Sequence, residues 1–109
     1  MNIIKVNISS KVELLKMYMP QLKHGGVFVI GNFNYTIGDE IFLILSLPNS
    51  NENLAVDGHL VWLSPTTAVG YPVGIGVEFN ANKTGIEAKS KIELLLGGML
   101  QNRSSSYTF

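Results

Sequence analysis

The sequence predicts a mainly β domain, a small antiparallel barrel or sandwich framed by two helices. Three observations lead to it. Four short segments rich in β-branched and aromatic residues are each bounded by Gly, Pro or Asn. The connections between them run about 9 to 11 residues, a spacing that suits antiparallel strands better than βαβ units. Near the C-terminal end, apolar residues recur at helical rather than strand spacing.

Residues 3–8 are a candidate fifth strand. Ser10-Lys11-Val12-Glu13 has the capping-box pattern, with Ser10 as N-cap and Glu13 reaching back, and opens a short helix that Pro20 must end. Val27-Phe28-Val29-Ile30 is a strand between Gly25-Gly26 and Gly31-Asn32. Residues 41–47 are apolar on both faces, which predicts a strand covered on both sides, and Pro48-Asn49 stops it. Residues 58–63 form the next strand. In the last, Val73, Ile75, Val77 and Phe79 face one side, while Gly74, Gly76 and Glu78 face the other. The two glycines are expected to let a neighbouring ring, Trp62 or Phe79, pack closely. Thr84-Gly85-Ile86-Glu87 repeats the capping-box pattern. Behind it Ala88, Ile92, Leu95, Leu96 and Met99 make one apolar helical stripe; Lys89, Lys91 and Glu93 take the wet face, and Gly97-Gly98 is the expected terminator. The expected division is a strand and helix extension over 1–19, a barrel with its helix over 20–100, and a flexible tail over 101–109.

The chain has 109 residues, which suits one domain. Eight basic and eight acidic side chains cancel, so the cationic surplus of a nucleic-acid binder is missing. Arg103 is the one arginine, too few for a bidentate phosphate clamp. The lack of cysteine excludes a disulfide scaffold, a thiolate metal site and a cysteine nucleophile, and fits a reducing compartment. No apolar run reaches the roughly 18 residues of a membrane span. The start Met1-Asn2-Ile3-Ile4-Lys5 lacks the pattern of a signal peptide, so a cytoplasmic chain is expected. Charged residues are 15% of the sequence, against roughly 25% in an average soluble domain. Low charge leaves apolar surface to hide, and such surface usually belongs to a partner interface.

Catalysis is hard to build from these residues. His24 lies in a turn and His59 in a strand, and neither stands at metal-ligand spacing from a second histidine. Asp39 and Glu40 are adjacent and point to opposite faces of an extended chain, so they read as a polar turn rather than an acid–base pair. Gly74-x-Gly76 lacks the third glycine and the helix of a dinucleotide fingerprint.

The succession of segments is similar to that of a known family. A turn ending Gly25-Gly26 enters Val27-Phe28-Val29-Ile30; then come Ile37-Gly38-Asp39-Glu40-Ile41-Phe42-Leu43, Leu47-Pro48, Gly58-His59-Leu60-Val61-Trp62 and Gly74-Ile75-Gly76-Val77-Glu78-Phe79. Over about residues 20–97 this order resembles the PilZ domain. The resemblance implies a six-stranded antiparallel β-barrel, split and PilZ-like, with a short N-terminal helical segment and a C-terminal α-helix. Tyr18-Met19-Pro20, Ile92-Glu93-Leu94-Leu95 and a Ser/Thr tail with an aromatic resemble the type IV pilus PilZ proteins in particular.

PilZ domains that sense cyclic di-GMP carry an R-x-x-x-R loop and a D/N-x-S-x-x-G turn. Two arginines can stack on guanines and hold phosphates bidentately, and the Asp/Ser turn hydrogen-bonds a guanine edge. The matching turn here is Gln21-Leu22-Lys23-His24-Gly25-Gly26. Gly26 agrees, but Gln21 replaces the acid or amide and Lys23 replaces the serine. No arginine precedes the turn; Lys11 and Lys16 are the nearest cations, and neither has a planar fork. The resemblance therefore implies an adaptor without a nucleotide site and without a cofactor. A cyclic di-GMP receptor using a non-standard site is the alternative.

The pilus-type members imply two protein partners, a PilB-type pilus extension ATPase and a FimX-type degenerate GGDEF–EAL receptor of cyclic di-GMP. In that picture the chain is a monomer when free and is recruited to the pilus base at the inner membrane. Leu14, Leu15, Tyr18 and Met19 are the expected contacts, as surplus to what a small barrel can bury. Tyr107 and Phe109 in the tail are a second candidate, a hook that orders on contact. Strand addition along residues 27–30 is not expected, because a closed barrel leaves no free edge.

Overall fold

The computed structural model describes residues 2–64 and 72–101. Its elements are β1 (Asn2–Asn7), α1 (Lys11–Met17), β2 (Gly26–Ile30), β3 (Glu40–Ser46), β4 (Asn53–Leu63), β5 (Gly74–Phe79) and α2 (Lys83–Leu96), which runs on into a 3-10 turn (Gly97–Leu100).

The mainly β fold with a C-terminal helix is the one the sequence predicts, with two differences. Five strands rather than six are present among the described residues, in the order β1-β3-β4-β5-β2. In addition, β1 runs parallel to β3, pairing Ile3 with Phe42 and Lys5 with Ile44, while the other three pairings are antiparallel. The chain crosses from β1 to β3 by way of α1 and β2, and a connection of that length is what parallel neighbours require. β1 and β2 are thus the two edges of a half-barrel, curled so that both line one groove.

Ser10 caps α1 as its sequence predicts, accepting from the Glu13 N–H at 3.1 Å. The cap of α2 lies two residues earlier than expected. Asn82 accepts from the Gly85 N–H, which frees the Thr84 hydroxyl to donate to Asp57 at 2.7 Å. In β3, Ile41, Leu43 and Leu45 enter the core, while Phe42 and Ile44 are half-buried, so the apolar run is fully covered on one face only. α2 lays Ala88, Ile92 and Leu96 on that core.

The expected surplus of apolar side chains at α1 does not exist. Leu14, Tyr18 and Met19 are buried, and Leu15 is half-buried against the core. The physical reason is the open barrel. With five strands the sheet does not enclose its own interior, and α1 with the residues after it fills the remainder. Tyr18 forms an antiparallel bridge with Val27, and the Met19 N–H donates to the Gly26 carbonyl at 2.9 Å.

Candidate functional site

The glycine turn between α1 and β2 is where the family's motif would place a ligand, and three of its backbone donors, those of Leu22, His24 and Gly25, are engaged within the chain. The Leu22 N–H donates to the Met19 carbonyl at 3.3 Å and the Gly25 N–H to the Leu22 carbonyl at 3.0 Å. The His24 N–H donates to the Glu78 carboxylate at 3.2 Å. Gly25 has φ +72°, a conformation that suits glycine, and a side chain there would press on the Tyr18 hydroxyl and the Lys89 stem. Gly26 has a separate reason to be glycine. A Cβ at that position would collide with the Val77 carbonyl across the β2–β5 pairing, so the motif's one matching residue is accounted for by sheet packing.

Behind the turn, Tyr18 donates its hydroxyl to Glu93 on α2 at 2.5 Å. Burial first, and then that hydrogen bond, push the phenol well above its ordinary range. Lys89 reaches the same carboxylate at 3.4 Å. On the other flank His59 Nε2 lies 3.5 Å from Glu78, and His59 Nδ1 meets the Asn80 side-chain oxygen at 2.8 Å. Asn80, Asn82 and Thr84 all donate to Asp57. Those bonds, Thr84 first and Asn80 next, hold its carboxyl down at about 2. The surroundings of the turn are therefore a latch of carboxylates and their donors, tying β4 and β5 to the start of α2. An incoming anion would meet Glu78 and Glu93, with the amides of Leu22, His24 and Gly25 already committed.

The remaining sequence candidates fall into place around this latch. Asp39 accepts from the Thr36 N–H and hydroxyl, so it closes the turn before β3 as expected. Gly74 gives room to the Phe28 ring rather than to Phe79, and Gly76 to Trp62 together with Met19. His24 is half-buried, with its side chain beside the turn. Gln21 and Lys23 are exposed. Tyr107 and Phe109 lie outside the described residues. Among the described residues no group of three or more His, Asp or Glu could hold a metal ion. No described helix is long and apolar enough to cross a membrane.

The structure also holds a feature that the expectation of a closed barrel excluded. A groove of about 370 Å³ opens between the two sheet edges, lined by β1 from Ile4 to Asn7, by Val29 and Ile30 of β2, by Glu13 and Met17 of α1, and by Phe33. The sequence carried one sign of it. Lys5 between Ile4 and Val6 breaks the apolar run and marks one face of this strand as open to solvent.

The model of the PilZ domain matches residues 2–97, taking in β1 and α1 as well as the strands and helix that carried the resemblance. No curated protein matches the chain. With the split, mainly β architecture and the glycine turn entering β2, that match is decisive: the chain belongs to the PilZ domain family, a family of receptors and adaptors in cyclic di-GMP signalling.

Proposed function

We propose that this chain is a non-catalytic adaptor of type IV pilus biogenesis and twitching motility. It links a degenerate GGDEF–EAL receptor of cyclic di-GMP to the pilus extension ATPase in the cytoplasm, and does not itself bind the dinucleotide. The observation that carries the reading is the hydrogen-bond accounting of the glycine turn. Three of its donors go to Met19, Leu22 and Glu78, and the carboxylates beside it, Glu78 and Glu93, are held by His59, Tyr18 and Lys89. A guanine edge or a phosphate would have to displace those bonds, and no arginine precedes the turn to compensate. The pilus context is supported by Tyr18-Met19-Pro20 and the Ser/Thr tail, and Leu15, Tyr107 and Phe109 remain candidate contacts for the two protein partners.

Titration calorimetry tests this directly. No heat of binding is expected with cyclic di-GMP at about tens of micromolar, a range in which a specific site would register. Co-purification with the ATPase and the receptor should retain both. A one-to-one isotherm with the dinucleotide would overturn the adaptor reading in favour of a receptor using a non-standard site.

A further inference from the structure

The backbone of the groove between β1 and β2 says what it can hold. In β1 the Ile8 N–H, just past the strand, donates to the Ser46 carbonyl of β3 at 2.9 Å. Backbone groups alternate sides along a strand, so Ile4 and Val6 also turn theirs to β3, and Lys5 and Asn7 turn theirs outward into the groove. In β2 the Gly31 N–H donates to Val73 beside β5, while the Gly26 carbonyl accepts from Met19 on the opposite side. By the same alternation Ile30 turns its N–H and carbonyl to the groove. Met19 and the Tyr18–Val27 bridge close this edge up to its middle and leave Ile30 beyond them. Two strand edges thus face one another across an opening, with Val6, Val29, Met17 and Phe33 as apolar lining beneath.

We infer that this seam takes up an extended segment of a protein partner by strand addition, supplying a strand that the half-barrel lacks among the described residues. Outward backbone groups of Lys5, Asn7 and Ile30 are matched by an extended chain and by no small anion or helix. Charge narrows the occupant further. On the outward face Lys5 has Ile44 as its cross-strand neighbour, and no ion pair forms to it among the described residues. An incoming strand that places Asp or Glu beside Lys5 completes a cross-strand pair that β3 does not offer. The occupant is therefore an extended segment with alternating apolar residues turned inward and an acidic residue turned outward. The inference rests on the adaptor reading only in making the occupant a protein; an isotherm with cyclic di-GMP would refute that reading and leave this one standing.

The probe is a blocked peptide of about six residues, valine alternating with threonine, with glutamate at one threonine position. It is titrated into the isotope-labelled full chain and followed by amide spectra and hydrogen exchange. Saturable shifts are expected at Lys5, Asn7 and Ile30, with exchange of those amides slowed about tenfold. Asn7→Pro removes an outward N–H without touching the β1–β3 ladder and should weaken binding about tenfold. Lys5→Glu should weaken the glutamate peptide severalfold and favour a lysine peptide instead. If Asn7→Pro fails to fold, as a thermal melt would show, the Lys5 charge reversal decides. No shift at about 1 mM peptide, shifts centred on α2 or the outer sheet face, or indifference to both substitutions would each overturn the inference. So would a concentration-dependent dimer of the free chain in sedimentation, which assigns the seam to a second copy.

Discussion

The glycine turn and the β1–β2 seam are two stretches of backbone that the fold treats in opposite ways. In the turn, donors are spent on Met19, Leu22 and Glu78, and the buried Tyr18–Glu93 bond anchors α2 behind it. In the seam, Lys5, Asn7 and Ile30 present backbone groups that no strand covers among the described residues. The turn stands where the family's binding motif would be, keeps only Gly26 of it and has three amides bonded within the fold; the seam carries no motif and has strand edges open among the described residues. A motif locates where relatives bind, whereas hydrogen-bond accounting shows which surface this chain still has to offer.

Several substitutions can break or sharpen that contrast, and the largest effect is expected behind the turn. Tyr18→Ala should cost about 3 to 5 kcal/mol, because it empties a fully buried ring site and removes the hydroxyl bond to Glu93, which keeps Lys89. Denaturant melts of the free protein measure it. A loss confined to partner binding would return Tyr18 to the surface role expected from the sequence. Gly26→Ala forces a Cβ against the Val77 carbonyl and should cost about 1 to 3 kcal/mol with no partner present. A neutral result would mean that Gly26 is kept for something other than the sheet.

Tyr18→Phe keeps the ring and removes only the donor, so about 1 kcal/mol is expected. The latch at Asp57 gives a pH signature of similar or smaller size. Its folded-state carboxyl is held at about 2 rather than 3.8, so on acidification the unfolded chain takes up the proton first. The stabilisation is present above about pH 4 and is lost as pH falls towards 2. Relative to Asp57→Asn, the wild type should lose about 1 kcal/mol more across that window once solvent screening is allowed for. Parallel slopes for the two proteins would show that the latch contributes nothing. Smallest of all, restoring Asp at Gln21 and Ser at Lys23 should give no measurable gain in cyclic di-GMP affinity, since the Leu22, His24 and Gly25 amides stay committed and the phosphates unclamped. Micromolar binding by that variant would show the turn to be open.

Much of this molecule was legible in local patterns. The capping box at Ser10, the alternation from Val73 to Phe79 and the stripe through Ala88, Ile92 and Leu96 each depend on neighbours in sequence, and each predicted its element. What failed depended on topology. Parallel pairing of β1 with β3 and a sheet of five strands among the described residues are set by long-range contacts, and no run of residues encodes them. From that one error the others follow. A closed barrel has no edge at β2 and no space for Leu14, Tyr18 and Met19, and so predicts them at the surface. The Asn82 cap was missed because Thr84 fits the same pattern, and only the position of Asp57 across the sheet decides between them.

The central claim is that the turn is closed to nucleotide, and amide spectra of the labelled chain with excess cyclic di-GMP test it most directly. The signals of Leu22, His24 and Gly25 should stay in place throughout the titration, since their donors already have partners within the fold. Saturable shifts of those three signals, reaching completion at one equivalent, would contradict it.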